Sequence, residues 1–220
     1  MSSPTLVRLS GASLLLGGLL HLVYLFTHPH TSGLAYYADP ATALSHLAGF
    51  ASVILVLLGL PGLHVRQAGR AGTLGLVGTL LIFFGAVMAD GTHMVIDSAV
   101  TPALATIPDA APLLAPAGPL EEAMQGGAQG TLVSAGGPML LLGLILLGIS
   151  PLRAGVLPRW AGALPVVAAL AVPLGFVVPS LTGVAFAMPY LALGCLGAIL
   201  ATGEGASAST HAVEPAPQVR

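Results

Sequence analysis

Six apolar stretches, separated by short polar or proline-rich segments, divide this 220-residue chain. An α-helix rises about 1.5 Å per residue, so roughly 20 apolar residues cross a hydrocarbon core about 30 Å thick. Each stretch therefore predicts a membrane-spanning helix, and the predicted fold class is an all-α, six-helix integral membrane bundle. The predicted spans cover residues 9–27, 41–63, 72–95, 129–149, 161–178 and 181–202.

The arginines outside the C-terminal tail all fall on one side of the predicted bundle. They are Arg8, Arg66, Arg70, Arg153 and Arg159. Cytoplasmic loops of membrane proteins carry an excess of Lys and Arg, so this side is predicted to be the cytoplasm. Both termini are then cytoplasmic, and the loops on the opposite side face outward.

Two segments lie outside the predicted spans. The outer loop, about residues 101–128, is rich in proline, and Pro119 is predicted to begin a short helix there, with Gly118 as its cap. The tail, residues 203–220, is rich in Ala, Ser and Pro. Such a composition predicts a disordered cytoplasmic tail.

The composition supports a lipid environment and argues against nucleic acid as a partner. Hydrophobic residues make up 55% of the chain, against six Lys or Arg and eight Asp or Glu, and the formal net charge is −2. A basic face that would bind nucleic acid is missing, which leaves the lipid bilayer as the predicted partner. Abundant Ala, Gly and Pro, without any Lys or Asn, are typical of a GC-rich bacterial genome. We therefore expect a bacterial plasma (inner) membrane protein.

Ionisable side chains within the predicted spans form a polar cluster in the outer half of the membrane. His21 belongs to the first span, His46 to the second, and Asp90 and His93 to the third, with Asp97 at its outer edge. At about 100° per residue, the three positions on the third span fall within about 60° of one another. Because such residues are costly in lipid, they usually mark a functional site or an internal ion pair.

A fourth wall for this site is predicted from the segment that follows the third span. Glu122, Gln125 and Gln129 are spaced for one helix face if the fourth helix starts early. His28 and His30, in the first outer loop, are interpreted as solvated side chains. The tyrosines are interpreted as interfacial or packing residues.

Several chemistries fit the polar cluster. His21, His46, His93 and Asp90 are suitable ligands for zinc, and two of the imidazoles could instead hold a haem iron. A proton relay through His93 and Asp90 could couple solute movement to protons, as in a transporter. An outward-facing pocket for a small-molecule ligand is the third reading, and a purely structural cluster that joins helices is the alternative to all three.

Catalytic motifs do not accompany the cluster. The sequence contains no HExxH pair, no GxSxG elbow and no phosphate-binding glycine loop. A binding or transport protein needs fewer specific residues than an enzyme. The sequence therefore favours binding or transport over catalysis.

Four turn and packing motifs carry a family resemblance. They are Leu60 to His64 (LPGLH), Arg70 to Gly78 (RAGTLGLVG), Pro102 to Ala105 (PALA) and Leu157 to Gly162 (LPRWAG). In these stretches the chain resembles a loose group of uncharacterised six-span membrane proteins common in actinobacteria and other GC-rich bacteria. The resemblance implies a six-span fold and a membrane location, and it brings no activity with it.

Overall fold

The computed structural model describes residues 3–154 and 158–202, and within these ranges every regular element is helical. Six helices are long and apolar enough to cross a membrane. The all-α six-helix prediction is confirmed, and the chain is a multi-pass membrane protein. The predicted disorder of residues 203–220 concerns a segment outside the described residues.

The spans are numbered 1 to 6 in chain order. Their bounds are Pro4–Thr27, Pro40–Gln67, Gly72–Ala105, Ala128–Ser150, Arg159–Val177 and Pro179–Thr202. Three shorter helical segments lie between them: Leu34–Ala38 before span 2, and the 3-10 helix Pro108–Leu114 and the helix Pro119–Gly126 before span 4. The three side chains that converge below, His46, His93 and Asp97, lie near the start of span 2 and towards the end of span 3.

Spans 2 and 3 join at Gly72, where the backbone turns sharply. This glycine has φ 57° and ψ −151°, a conformation that residues with a Cβ rarely adopt. The apolar pattern predicted that span 3 ends at about residue 95, but the span continues to Ala105. Two π-helical segments, Val87–Gly91 and Ile96–Val100, interrupt its α-helix.

The helix before span 4 begins at Pro119 and follows Gly118, in agreement with the turn chemistry of the sequence. It ends at Gly126, so the segment forms a separate short helix and not an early start of span 4. The Glu121 carboxylate fixes its first turn. It accepts hydrogen bonds from the Ala117 backbone N–H at 2.8 Å and from the Gln125 amide at 3.0 Å.

Small residues allow the spans to pack closely around the bundle. Span 1 packs against spans 2 and 6, span 3 against span 4, and span 5 against spans 4 and 6. A Cβ added at Gly18 would lie 3.0 Å from the Gly194 Cα, so the backbones of spans 1 and 6 touch there. Such contacts supply the dispersion energy that stabilises helix pairs in lipid. Leucines fill the interior, among them Leu14, Leu60 and Leu144.

Candidate functional site

The ionisable side chains of span 3 separate into two clusters. The regular 100° spacing placed Asp90, His93 and Asp97 on one stripe, but the two π-helical segments contain Asp90 and Asp97. A π turn holds more residues than an α turn, so it rotates the side chains that follow it. Such π turns occur frequently at functional sites. In this chain they direct Asp90 towards span 6, and His93 and Asp97 towards span 2.

The first group, the Asp90 cluster, consists of Asp90, Tyr190, His21 and Ser52. The Tyr190 hydroxyl donates to Oδ2 of Asp90 at 2.7 Å and so joins span 6 to span 3. The His21 ring stacks on the Tyr190 ring, with centroids 3.9 Å apart and an interplanar angle of 5°. The Ser52 hydroxyl donates to the Gly17 carbonyl at 2.7 Å and lies 3.5 Å from His21 Nδ1. These contacts tie spans 1, 2, 3 and 6 together.

The second group, the Asp97 cluster, consists of His46, His93 and Asp97. Asp97 Oδ2 lies 3.6 Å from His46 Nε2 and 3.7 Å from His93 Nδ1. One ligand atom from each of the three residues lies within 4.8 Å of the others. His46 is fully buried, whereas the His93 side chain is 37% exposed. The cluster therefore has a buried side, at span 2, and an accessible side.

Hydrogen bonds orient the His46 ring towards its two neighbours. Its Nδ1 lies 2.8 Å from the Thr42 carbonyl, which can only accept, so Nδ1 carries the proton. In a neutral imidazole, Nε2 then presents a lone pair to the cluster. Thr101 holds the Asp97 carboxylate, since the Thr101 hydroxyl lies 3.4 Å from Asp97 Oδ1.

Two side chains from the loop between spans 1 and 2 cover this lone pair. The Tyr36 hydroxyl lies 3.3 Å from His46 Nε2 and 3.1 Å from His28 Nε2. Because Nε2 of a neutral His46 only accepts, the Tyr36 hydroxyl donates to it, and its oxygen can accept from His28. Any ligand of His46 Nε2 must therefore displace the Tyr36 hydroxyl.

The protonation of the two loop side chains agrees with this arrangement. Burial, followed by the charge of Asp97, raises the pKa of Tyr36 well above its usual range, so the phenol keeps its proton. Burial is also the main cause that lowers the pKa of His28, so its imidazole is neutral at pH 7. A neutral His28 can donate from one ring nitrogen only.

A cavity of about 580 Å³ opens beside the Asp97 cluster. His93 and Asp97 form part of its lining, together with residues from three other parts of the chain. These are the loop between spans 1 and 2 (His28, Thr31, Ser32, Gly33, Tyr36, Tyr37), the segment before span 4 (Ala115, Pro116, Glu121, Met124, Gln125) and span 4 itself (Gln129, Gly130, Val133, Ser134). Among the described residues of this lining there is neither Lys nor Arg.

The structure brings some of the sequence-predicted site residues together and separates others. His46, His93 and Asp97 meet, whereas His21 and Asp90 belong to the other cluster. Gln125 and Gln129 line the cavity, but Glu122 is exposed and Glu121 takes its place. The Glu121 carboxylate in the cavity wall is held by the hydrogen bond that it accepts from the Ala117 backbone N–H.

Sequence reasoning missed three contributors. His28 was interpreted as solvated and Tyr36 as an interfacial ring, yet both contact the Asp97 cluster through the loop. Tyr190 was interpreted as a packing residue, yet it is the partner of Asp90. Their spacing carries no signal, because a loop contact and a contact between distant spans depend on the tertiary fold. The aromatic and histidine content of residues 24–37 was the one available hint.

The Asp90 cluster predicts a loss of stability when its hydrogen bond is removed. We expect Tyr190→Phe to lower the unfolding free energy by about 1–3 kcal/mol, because the buried Asp90 carboxyl loses its donor. Thermal unfolding in detergent should then shift down by several degrees. Tyr37→Phe, half-buried at the cavity, is the matched control and should melt like the wild type. An unchanged melting temperature for Tyr190→Phe would contradict a joining role.

Chemically, the Asp97 cluster offers two imidazoles and a carboxylate, which suits a divalent transition metal ion with one coordination position left open. The cavity beside it gives that position access to solvent. No protein-family model, curated protein or solved structure matches this chain.

Proposed function

We propose that this chain is a metal-binding membrane protein that holds Zn²⁺ at His46, His93 and Asp97, beneath a cavity on the outer face of a bacterial plasma membrane. The observation that carries the proposal is the convergence of three ligand atoms from spans 2 and 3 within 4.8 Å of one another. Imidazole nitrogen and carboxylate oxygen are common zinc ligands. Binding of an ion at these atoms would also require displacement of the Tyr36 hydroxyl from His46 Nε2.

Hydrogen bonds to the proposed ligand residues support a metal site over a chance grouping. In metalloproteins a ligating histidine usually donates its other N–H to a carbonyl or carboxylate, which fixes the ring. His46 does so through the Thr42 carbonyl, and Thr101 holds Asp97. These contacts come from the same helices as the ligands, so the site is oriented before an ion arrives.

Charge supports a cation as the occupant and an outward-facing site. Asp97 and Glu121 line the cavity, and the part of the chain that the structure describes places no Lys or Arg beside them in its wall. The cavity therefore attracts positive ions. Arg8 and Arg66 lie near the opposite ends of spans 1 and 2, away from the cavity. Because cytoplasmic loops carry an excess of arginine, these ends face the cytoplasm and the cavity opens to the exterior.

A single ion fits this geometry better than a haem. Asp97 Oδ2 lies within 4 Å of both imidazoles, and the rings of His46 and His93 are 5.3 Å apart. A porphyrin held between two histidines would need the space that the carboxylate occupies. For the Asp90 cluster the Tyr190 hydrogen bond favours helix joining over the proton-relay reading.

Zinc titration of the purified protein tests the proposal. Chain stripped with EDTA in detergent and then dialysed against Zn²⁺ is expected to retain one zinc per chain by elemental analysis. The dissociation constant is expected to be about 1 µM or lower, the equivalent of about 8 kcal/mol. Less than a tenth of an equivalent of zinc on correctly folded protein would contradict the proposal.

A further inference from the structure

The cavity is much larger than a metal ion needs. Its volume is about 580 Å³, within the range of roughly 300–1,000 Å³ typical of small-molecule sites. A water molecule takes about 30 Å³ in the liquid. With His93 and Asp97 in its wall, the cavity borders the accessible side of the proposed metal site. A molecule in the cavity can therefore reach the metal directly.

Gln129 supplies a second observation that points to such a molecule. Its side chain lines the cavity, and its amide nitrogen is buried without a hydrogen-bond partner among the described residues. A buried N–H without an acceptor carries an uncompensated desolvation cost. Rotation of the terminal amide about its last bond can present the N–H group to the cavity, where an acceptor oxygen would satisfy it.

The lining restricts what that acceptor can be. Because neither Lys nor Arg is among the described residues of the lining, the chain offers no permanent positive charge there, and a metal ion would supply it. Tyr37 adds a second donor, since burial raises the pKa of its phenol and keeps it protonated. A ligand that offers oxygens both to the metal and to neutral donors fits this set.

We infer that the cavity takes a small carboxylate, whose oxygens complete the coordination of the metal and accept a hydrogen bond from Gln129. The inference rests on the proposed function, since the metal supplies the positive charge. The cavity would then hold the body of the ligand, and the metal ion would bind its carboxylate group.

Cobalt-loaded protein in detergent, titrated with butyrate, tests this inference. The visible absorption of Co²⁺ responds to each change of its ligands, so butyrate should shift the spectrum in a saturable way. Gln129→Leu should weaken butyrate binding about tenfold, as expected for the loss of one hydrogen bond. Its cobalt stoichiometry should stay at the wild-type value, because Gln129 is not one of the three proposed ligand residues.

Gln125→Leu is the matched control. Gln125 also lines the cavity, but its amide already donates to Glu121, so this variant should bind butyrate within about twofold of wild type. Gln129→Leu removes an unpaired buried amide, so it should fold at least as stably as the wild type. Two results would overturn the inference and leave the metal proposal standing. One is a Co²⁺ spectrum that does not change when butyrate is added to the cobalt-loaded protein. The other is equal butyrate affinity in the wild type and Gln129→Leu. Failure to bind Co²⁺ at all overturns both.

Discussion

Replacement of His93 by alanine is expected to lower zinc affinity by at least about 100-fold, since even the outer-shell partners of metal ligands contribute 10- to 100-fold. His93 is the suitable ligand to change, because its side chain is partly exposed and its loss leaves the core packing intact. The measurement is a competition titration against a chromophoric chelator. Asp97→Asn should have an effect in the same direction, because the carboxylate supplies the negative charge that balances the ion.

His30→Ala is the control for these variants. His30 is exposed on the same loop as His28 and lies outside the Asp97 cluster, so its replacement should leave zinc affinity unchanged. Loss of zinc binding in His30→Ala would indicate that the ion binds at the loop. Wild-type affinity in His93→Ala would remove His93 from the ligand set.

Gly136→Val is expected to destabilise the bundle by about 3 kcal/mol, the upper end of the usual range for overpacked cores, and to reduce folded yield. A Cβ at Gly136 would lie 2.7 Å from the Ala89 backbone nitrogen and 2.8 Å from the Met88 Cβ. Spans 3 and 4 would have to separate at this point. The measurement is thermal unfolding in detergent, together with the fraction of monodisperse protein.

The neighbouring glycine offers a matched control. A Cβ at Gly137 would have nothing within 4 Å, so Gly137→Val should fold with near wild-type stability. The Gly136 contact falls on the π-helical segment Val87–Gly91, just before His93. Any Gly136→Val protein that does fold should therefore also bind zinc more weakly. Equal stability of the two valine variants would contradict the close packing of spans 3 and 4.

The number and class of the spans could be predicted because lipid leaves few alternatives. Backbone groups in a hydrocarbon core must be satisfied within the chain, so a long apolar run becomes a helix. The same reasoning placed His21, His46, Asp90 and His93 at one level of the bundle. Depth follows from counting residues along a helix, and counting is reliable over five or six turns.

The direction of side chains was less predictable than their depth. The π turn Val87–Gly91 contains Asp90 and rotates it away from His93, and the spacing of the apolar residues does not reveal such a turn. Glu121 replaced Glu122 in the cavity wall because its helix ends at Gly126, so its direction does not follow from the spacing to Gln129 in span 4. Tyr36 reaches His46 through a loop, whose path depends on packing that a single sequence does not display.

The length of span 3 affects the path by which an ion would reach the Asp97 cluster. This span has 34 residues, which as an α-helix would extend about 51 Å, well beyond a hydrocarbon core of about 30 Å. Asp97 lies in its last third, about 38 Å along such a helix, so a span that began at the inner edge of the hydrocarbon would carry Asp97 beyond the outer edge. An ion could then travel from bulk water to the Asp97 carboxylate without shedding its hydration in hydrocarbon, and exchange would be governed by displacement of the Tyr36 hydroxyl.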